Sequence, residues 1–487
     1  MDAAWYEKEL ERRDRRIAEL EERLCRRDQR IAELEKGLAD LRAALERRAE
    51  SNASKKPRFR GDCSVGTQER KGRKRRKKKS TGRRSKEAKL PEVARTEDIH
   101  PVGLKPEQCT FSHDRLAWRL ENGRAVLVRY RIYKGHWGFS AEMPDLLPRS
   151  EYGIEVAVIL SYLVYTVGVS INKARSLLGF FCQLRLSRSQ ANSLLDQLAR
   201  LWESEFDTLL ELMSLALVVY IDETGWKVSK KNCYAWVFTT LSHTVLLYGR
   251  TRDASVLDEI LPSDRFQGIG VSDDYAAYRD RFPRSQKCWS HLLRKAIALM
   301  LAHPAKHHYR RFFERLLDLY REAKRYQQDR RLGPTAREKR VVELEEKLGA
   351  LCTRWDNELP KDAAADVRAF VNLQRELMRC LGDESLFTFV LYPEVEATNN
   401  RSERTFRDTA KARATGQTSK TDHGAWRRSV ILSVLTSLKQ NLANFTIEVV
   451  VAEVAAWRRR GVSLFQRQLQ SIRDGTIGST MIGAMAN

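Results

Sequence analysis

Leu217-Val-Val-Tyr-Ile-Asp222 is a short apolar, β-branched run closed by a carboxylate, and the pattern returns in Gly268-Ile-Gly-Val-Ser-Asp273. Each run predicts a buried strand with an acid at its end, where side chains from neighbouring strands converge. A third acid, Glu403, stands in Asn399-Asn-Arg-Ser-Glu403-Arg404, a polar and arginine-rich segment with helical spacing. Taken singly, an Asp at a strand end is a turn or cap residue as readily as a ligand. Together, the three acids point to a carboxylate triad that holds metal.

Working outward, Cys233 to Thr240 and Thr244 to Gly249 read as two further strands, and Ala254 to Leu261 as a helix before the run to Asp273. Three neighbouring strands, a crossover helix and a fourth strand predict the start of a ribonuclease-H-like mixed sheet. In that arrangement the first and fourth strands are adjacent, so Asp222 meets Asp273. The next hundred residues are strongly helical and charged, which reads as an insertion over 291–395 that delays the third carboxylate. From Ala397 a helix resumes, with Thr398-Asn-Asn-Arg401 as its capping stretch. Along it Glu403, Arg407 and Lys411 follow one another at i+4 spacing, with Arg404 one residue off the stripe; the cations suit phosphates, although a Glu403–Arg407 surface ion pair explains that spacing equally well.

Phosphodiester chemistry uses two hard cations about 3.5–4 Å apart, and magnesium is satisfied by two or three carboxylates plus water. Magnesium, with manganese as a substitute, is therefore the expected cofactor, and Asp222, Asp273 and Glu403 are both its ligands and the catalytic residues. The formal net charge of +24 points to a polyanionic partner. A membrane partner fits less well. The longest apolar stretch, Val156 to Val169, is about 14 residues, too short to span a bilayer, and reads as a buried helix. Eight cysteines are scattered without a Cys-x-x-Cys pair, which argues against a zinc ribbon and a disulfide framework, and no signal-peptide pattern opens the chain. A reducing cytoplasm is the expected location. Cys288, in Lys287-Cys-Trp-Ser-His291, reads as a packing cysteine rather than a nucleophile or ligand, because no histidine or cysteine cluster stands near the acids in sequence.

Residues 1–50 predict a coiled coil. Leu10, Ile17, Leu24, Ile31, Leu38 and Leu45 recur every seven residues, with Leu20, Leu34 and Leu41 on the alternate seam, so residues 6–48 are expected to join copies of the chain. Residues 51–95 read as a disordered basic linker. Its segment 70–86 holds twelve Lys and Arg and no acid, among them Arg73, Lys74, Arg75, Arg76, Lys77 and Lys78, which predicts salt-sensitive phosphate contact. Alternation in Arg124-Ala-Val-Leu-Val-Arg-Tyr-Arg131 marks a small β-rich unit over 96–150. Residues 151–211 are helical; Ser170 to Leu178, then Ser187 and Gln190 as a capping box opening a helix to Leu198, resemble helix-turn-helix spacing. The catalytic core is expected over 212–290 and 396–445, followed by a tail over 446–487.

Asp222-Glu-Thr-Gly-Trp226, Ser272-Asp-Asp-Tyr-Ala-Ala-Tyr278, Cys288-Trp-Ser-His-Leu-Leu-Arg-Lys295 and Glu396-Ala-Thr-Asn-Asn-Arg-Ser-Glu-Arg404 together resemble, in order and spacing, the motifs of bacterial transposases of the insertion sequence 66 family. Gly424 to Lys439 resembles the family's closing helix, and the likeness runs from about Gly153 to Asn444. The resemblance implies a DDE-type core, two magnesium ions, hydrolysis at element ends and attack of the freed 3′ hydroxyl on target DNA. It also selects Asp273 over Asp274, because the family ligand lies two residues before a tyrosine, here Tyr275. Members commonly carry a cysteine-pair zinc finger upstream, where this chain has only Cys109, so no zinc role is carried over. The resemblance also implies accessory transposition proteins as partners and a nucleoid-associated place in a bacterial cytoplasm. The competing readings are a non-catalytic DNA-binding regulator and an inactive transposase relic.

Overall fold

The computed structural model describes residues 86–475 apart from 137, 139, 142, 144, 149, 230 and 355. The expected coiled coil and the basic tract from Arg73 to Lys78 lie outside the described residues.

A mixed three-stranded sheet comes first, from β1 (Val93–Ile99), β2 (Cys109–Glu121) and β3 (Arg124–Gly135), in the order β1-β3-β2. The alternating run at 124–131 lies within β3. Helices α1 (Ile154–Ser161), α2 (Ile171–Phe181), α3 (Arg188–Leu201) and α4 (Glu203–Ser214) follow. The apolar stretch from Val156 is the buried α1 and the single π-helical turn after it. No helix among the described residues is long and apolar enough to cross a membrane. The expected capping box opens α3: Ser187 Oγ accepts from Gln190 N at 3.1 Å, and Gln190 Oε1 accepts from Ser187 N at 2.8 Å.

The central sheet is built from β4 (Val218–Val228), β5 (Lys231–Thr239), β6 (Thr244–Arg250), β7 (Ile269–Ser272) and β8 (Arg284–Lys287), with α5 (Ser255–Ile260) between β6 and β7. Its order is β6-β5-β4-β7-β8; β4, β5 and β6 are antiparallel, while β7 runs parallel to β4 and β8 parallel to β7. The first and fourth strands of this sheet are therefore neighbours, as expected. Two expectations need correction. Strand β4 does not end at Asp222 but continues through Glu223-Thr-Gly-Trp to Val228, because this polar half is paired along its length with β5. Strand β8 was not expected, since Arg284-Ser-Gln-Lys287 carries no apolar pattern. It is held by its backbone ladder to β7 and by Gln286, whose Nε2 donates to the Leu386 carbonyl at 3.1 Å and whose Oε1 accepts from Phe389 N at 3.0 Å.

The insertion is helical, comprising α6 (Trp289–Ala302), α7 (His307–Gln328), α8 (Pro334–Leu351), α9 (Ala365–Gly382) and α10 (Thr388–Leu391); α11 (Asn400–Ala414), α12 (Asp422–Asn441), α13 (Ile447–Arg460) and α14 (Leu464–Arg473) complete the chain. Successive strand residues face opposite ways. Val219 and Ile221 enter a core shared with α4 and α12, while Tyr220, Ile269 and Val271 enter a second core with Trp289, Leu316 and Phe389 of the insertion. By the same alternation, Asp222 and Asp273 face the insertion side. Glycine is required within β7 and just before it: a Cβ at Gly270 would collide with the Phe282 ring, and one at Gly268 with the Ala216 carbonyl.

The edge strand β6 is closed by a serine ladder on α12. Ser437, Ser433 and Ser429 accept from the outward amides of Thr244, Leu246 and Tyr248 at 2.9, 2.8 and 2.9 Å. Two strand residues advance about 6.7 Å and four helix residues about 6.0 Å, so i+4 serines track alternate strand amides over three rungs. All three serines are buried. Ser433→Ala leaves the Leu246 amide buried without a partner, and chemical denaturation is expected to show a loss of about 1–3 kcal/mol. An unchanged midpoint would mean the ladder contributes nothing.

Candidate active site

The last registered pair between β4 and β7 is Tyr220 with Val271. Asp222 and Asp273 each lie two residues further on, so the two parallel strands carry them to the same level on the same face. Asp222 is fixed inside β4 by pairing with Val237 on its other side, and its Oδ1 accepts from Glu223 N at 2.9 Å. Asp273 follows the end of β7; its Oδ1 accepts from Tyr275 N at 3.0 Å. The buried Lys287, at the end of β8, donates to the Asp273 carbonyl at 3.3 Å.

Glu403 arrives in the first turn of α11. The capping expectation for Thr398-Asn-Asn-Arg401 needs revision: Asn399 is the N-cap residue but makes no side-chain cap. Its Nδ2 instead donates to the Ile221 carbonyl at 2.6 Å, and its backbone amide to Cys288 Sγ at 3.1 Å. One buried asparagine thus ties the helix of Glu403 to the residue preceding Asp222 and to the turn preceding α6. The Glu403–Arg407 pair that would equally have explained the i+4 spacing is not the one formed. Glu403 Oε1 accepts from Arg294 Nη2 at 2.8 Å and lies 3.7 Å from His291 Nε2. Arg404, Arg407 and Lys411 are exposed along α11, and Lys411 pairs with Asp408.

The charges of Asp273 and Glu403 both act on Asp222. Burial raises Asp222 from 3.8 to about 7, helped by repulsion from Glu223, Asp273 and Glu403. Asp274 is engaged by Arg379 of α9. Glu223 points into a network of its own, accepting from Arg252 at 2.8 Å and from the Tyr278 hydroxyl, while Arg252 stacks on Tyr275 at 4.0 Å. Tyr275, whose amide fixes Asp273, is in turn held by its hydroxyl bond to the Arg252 carbonyl at 2.8 Å. Burial raises the Glu223 pKa against the pull of Tyr278 and Arg252, and its charge still acts on Asp222.

Sequence reasoning missed His291. Cys288, His291 and Glu403 place one ligand atom each within 4.8 Å of one another, so a histidine and a cysteine do stand beside the triad, contrary to expectation. Burial and Arg294 lower the His291 pKa against the opposing pull of Asp273 and Glu403, and its Nδ1 is buried without a hydrogen-bond partner. The signal that would have found it is the i, i+3 and i+6 spacing of Cys288, His291 and Arg294 on the first two turns of one helix. Cys288 is buried, its thiol pushed up by burial and occupied by the Asn399 amide, which fits a packing role.

Carboxylates that repel one another around a buried acid raised to about 7 are oxygen donors of the type that suits a hard divalent cation. The residues present fit magnesium. No curated protein matches the chain. The sequence pattern of the transposase IS66 family matches residues 150–427, which take in all three acids, the Asn399 tie and the whole helical insertion. That span is more than half of the 487 residues, and the chain therefore belongs to the transposase IS66 family, whose members are enzymes that cleave and transfer DNA.

Proposed function

We propose that the protein is a DDE-type DNA transposase with a ribonuclease-H-like core, in which Asp222, Asp273 and Glu403 hold two magnesium ions. The observation that carries this reading is the convergence of the three acids: two from adjacent parallel strands and one from a helix tethered to the first strand by Asn399. The strand order β6-β5-β4-β7-β8 supports the core assignment.

Magnesium, when bound, supplies positive charge for the attacking and leaving oxygens of a phosphodiester. The chain's own residues do the rest. Tyr275 N holds one oxygen of Asp273, Glu223 N holds one oxygen of Asp222, and the Asn399 tie fixes the origin of α11, so the acids are oriented before substrate arrives. Arg294 balances Glu403, while Arg404, Arg407 and Lys411 are offered to phosphates beside it. The reaction is hydrolysis at the element ends followed by attack of the freed 3′ hydroxyl on target DNA. Residues 6–48 join protomers, and the tract from Arg73 to Lys78 adds contact with any phosphate backbone.

The test is strand nicking by purified protein on duplexes carrying the element's own ends, in magnesium and in EDTA. Nicking at the ends in magnesium alone is the expected result. End-specific binding with no nicking in either condition would favour a regulator or relic.

A further inference from the structure

Phe180 and Phe181 close α2 and are among the most exposed large apolar side chains described, at 80% and 67%. Their rings meet edge to face, 5.0 Å between centroids. They do not sit on a loose end. The Leu178 carbonyl accepts from both Cys182 N and Leu184 N, at 3.0 and 3.1 Å, and the Cys182 carbonyl accepts from Ala125 N at 2.7 Å. Gln183 takes a positive φ of 55°, and the buried Leu184 and Leu186 anchor the return to α3. The turn is thus pinned on both sides while its two aromatic rings are held out into solvent.

The charge around them is predominantly positive. From Val156 to Leu195 the sequence has no Asp or Glu, whereas Lys173, Arg185 and Arg188 are exposed on α2, on the turn and at the start of α3. Arg175 is spent on the Leu186 carbonyl at 2.5 Å. On the β2–β3 hairpin that meets this turn through Ala125, Arg124 is exposed and Glu121 is paired with Arg95, so the rigid apolar pair sits within a predominantly cationic surface, which complements a polyanion with flat apolar faces inside it, a DNA duplex. Proteins that insert apolar side chains between base steps use this combination: cations hold the phosphates while the wedge replaces a base stack.

We infer that Phe180 and Phe181 form a wedge that enters the base stack of bound DNA and unstacks a step. This rests on the proposed DNA-acting function and adds where the duplex is deformed. The substitution pair Phe180→Ala with Phe181→Ala leaves charge unchanged and removes only exposed rings, so the fold and its melting curve are expected to be retained.

The experiment compares the full-length protein with this double variant on two duplexes of one sequence, fully paired and with a single mismatch beside a 2-aminopurine. A mismatch lowers the unstacking cost, so wild-type protein is expected to bind that duplex about tenfold more tightly and to brighten the 2-aminopurine. The double variant is expected to lose both the preference and the brightening while keeping the same slope of affinity on salt. Equal preference and brightening in both proteins would overturn the wedge and leave the DNA function standing, as would a variant that changes only self-association by sedimentation. Absence of DNA binding by the wild type would overturn the wedge and the proposed function together.

Discussion

Asp222→Asn, Asp273→Asn and Glu403→Gln are each expected to lower magnesium-dependent strand nicking by about a thousandfold or more, with DNA affinity within about twofold of wild type. Each substitution keeps size and removes one negative oxygen donor, so the loss reports ligation rather than packing. The three are not expected to add. Once the cation site is broken by the first change, the second and third have little left to remove. Asp274→Asn is the control, because Asp274 is already engaged by Arg379. It is expected to nick at close to the wild-type rate. Nicking assays on the element ends separate these cases, and undiminished nicking by any of the three would remove that residue from the site.

Without metal, Asp222→Asn is expected to be more stable than the wild type at about pH 8. Asp222 has its folded-state pKa raised from 3.8 to about 7, chiefly by burial. A group raised in this way contributes stability fully below its unfolded value, and that contribution is lost as pH rises through about 7. Above that pH the wild type carries a buried charge that opposes folding, by on the order of 2 kcal/mol and at most about 4. Asparagine removes the charge and keeps an oxygen for the Glu223 amide. Thermal unfolding in EDTA is therefore expected to show the variant melting higher at about pH 8, with the margin narrowing towards about pH 4. Magnesium is expected to raise the wild-type midpoint and leave the variant unmoved, since the stability set aside at the site is recovered when its cation binds. A variant that melts below wild type throughout would mean Asp222 is an ordinary structural carboxylate.

The parts of this site legible in the sequence are those with local causes. Val219 to Ile221 and Ile269 to Val271 show their burial in side-chain type, although Leu217 at the head of the first run is exposed, and the two-residue period carries Asp222 and Asp273 to one face. The Ser187–Gln190 box was readable because both partners lie within one turn. What escaped reading depends on partners far along the chain. The extension of β4 past Asp222 is polar and exists because β5 returns beside it. Strand β8 has no apolar residue and is held by backbone and by Gln286 reaching Leu386, 100 residues away. The serine ladder needs β6 at the sheet edge before Ser429, Ser433 and Ser437 mean anything. His291 and Arg294 reach Glu403 only after the entire insertion has folded back, across 109 residues in the case of Arg294. Asn399 looked like a cap because asparagine before a helix usually is one, yet here its amide is drawn to the free carbonyl of Ile221.

The most direct test of the shared cation site is to load the full-length protein with ferrous iron in place of magnesium and supply ascorbate and peroxide. Iron follows manganese in its liking for carboxylate and water ligands, and the radicals it generates cut only the backbone nearby. Cuts beside Asp222, Asp273 and Glu403 together, suppressed by excess magnesium and absent from Asp222→Asn, are the result predicted. Cuts confined to one of the three segments, or unchanged in the variant, would contradict a common site.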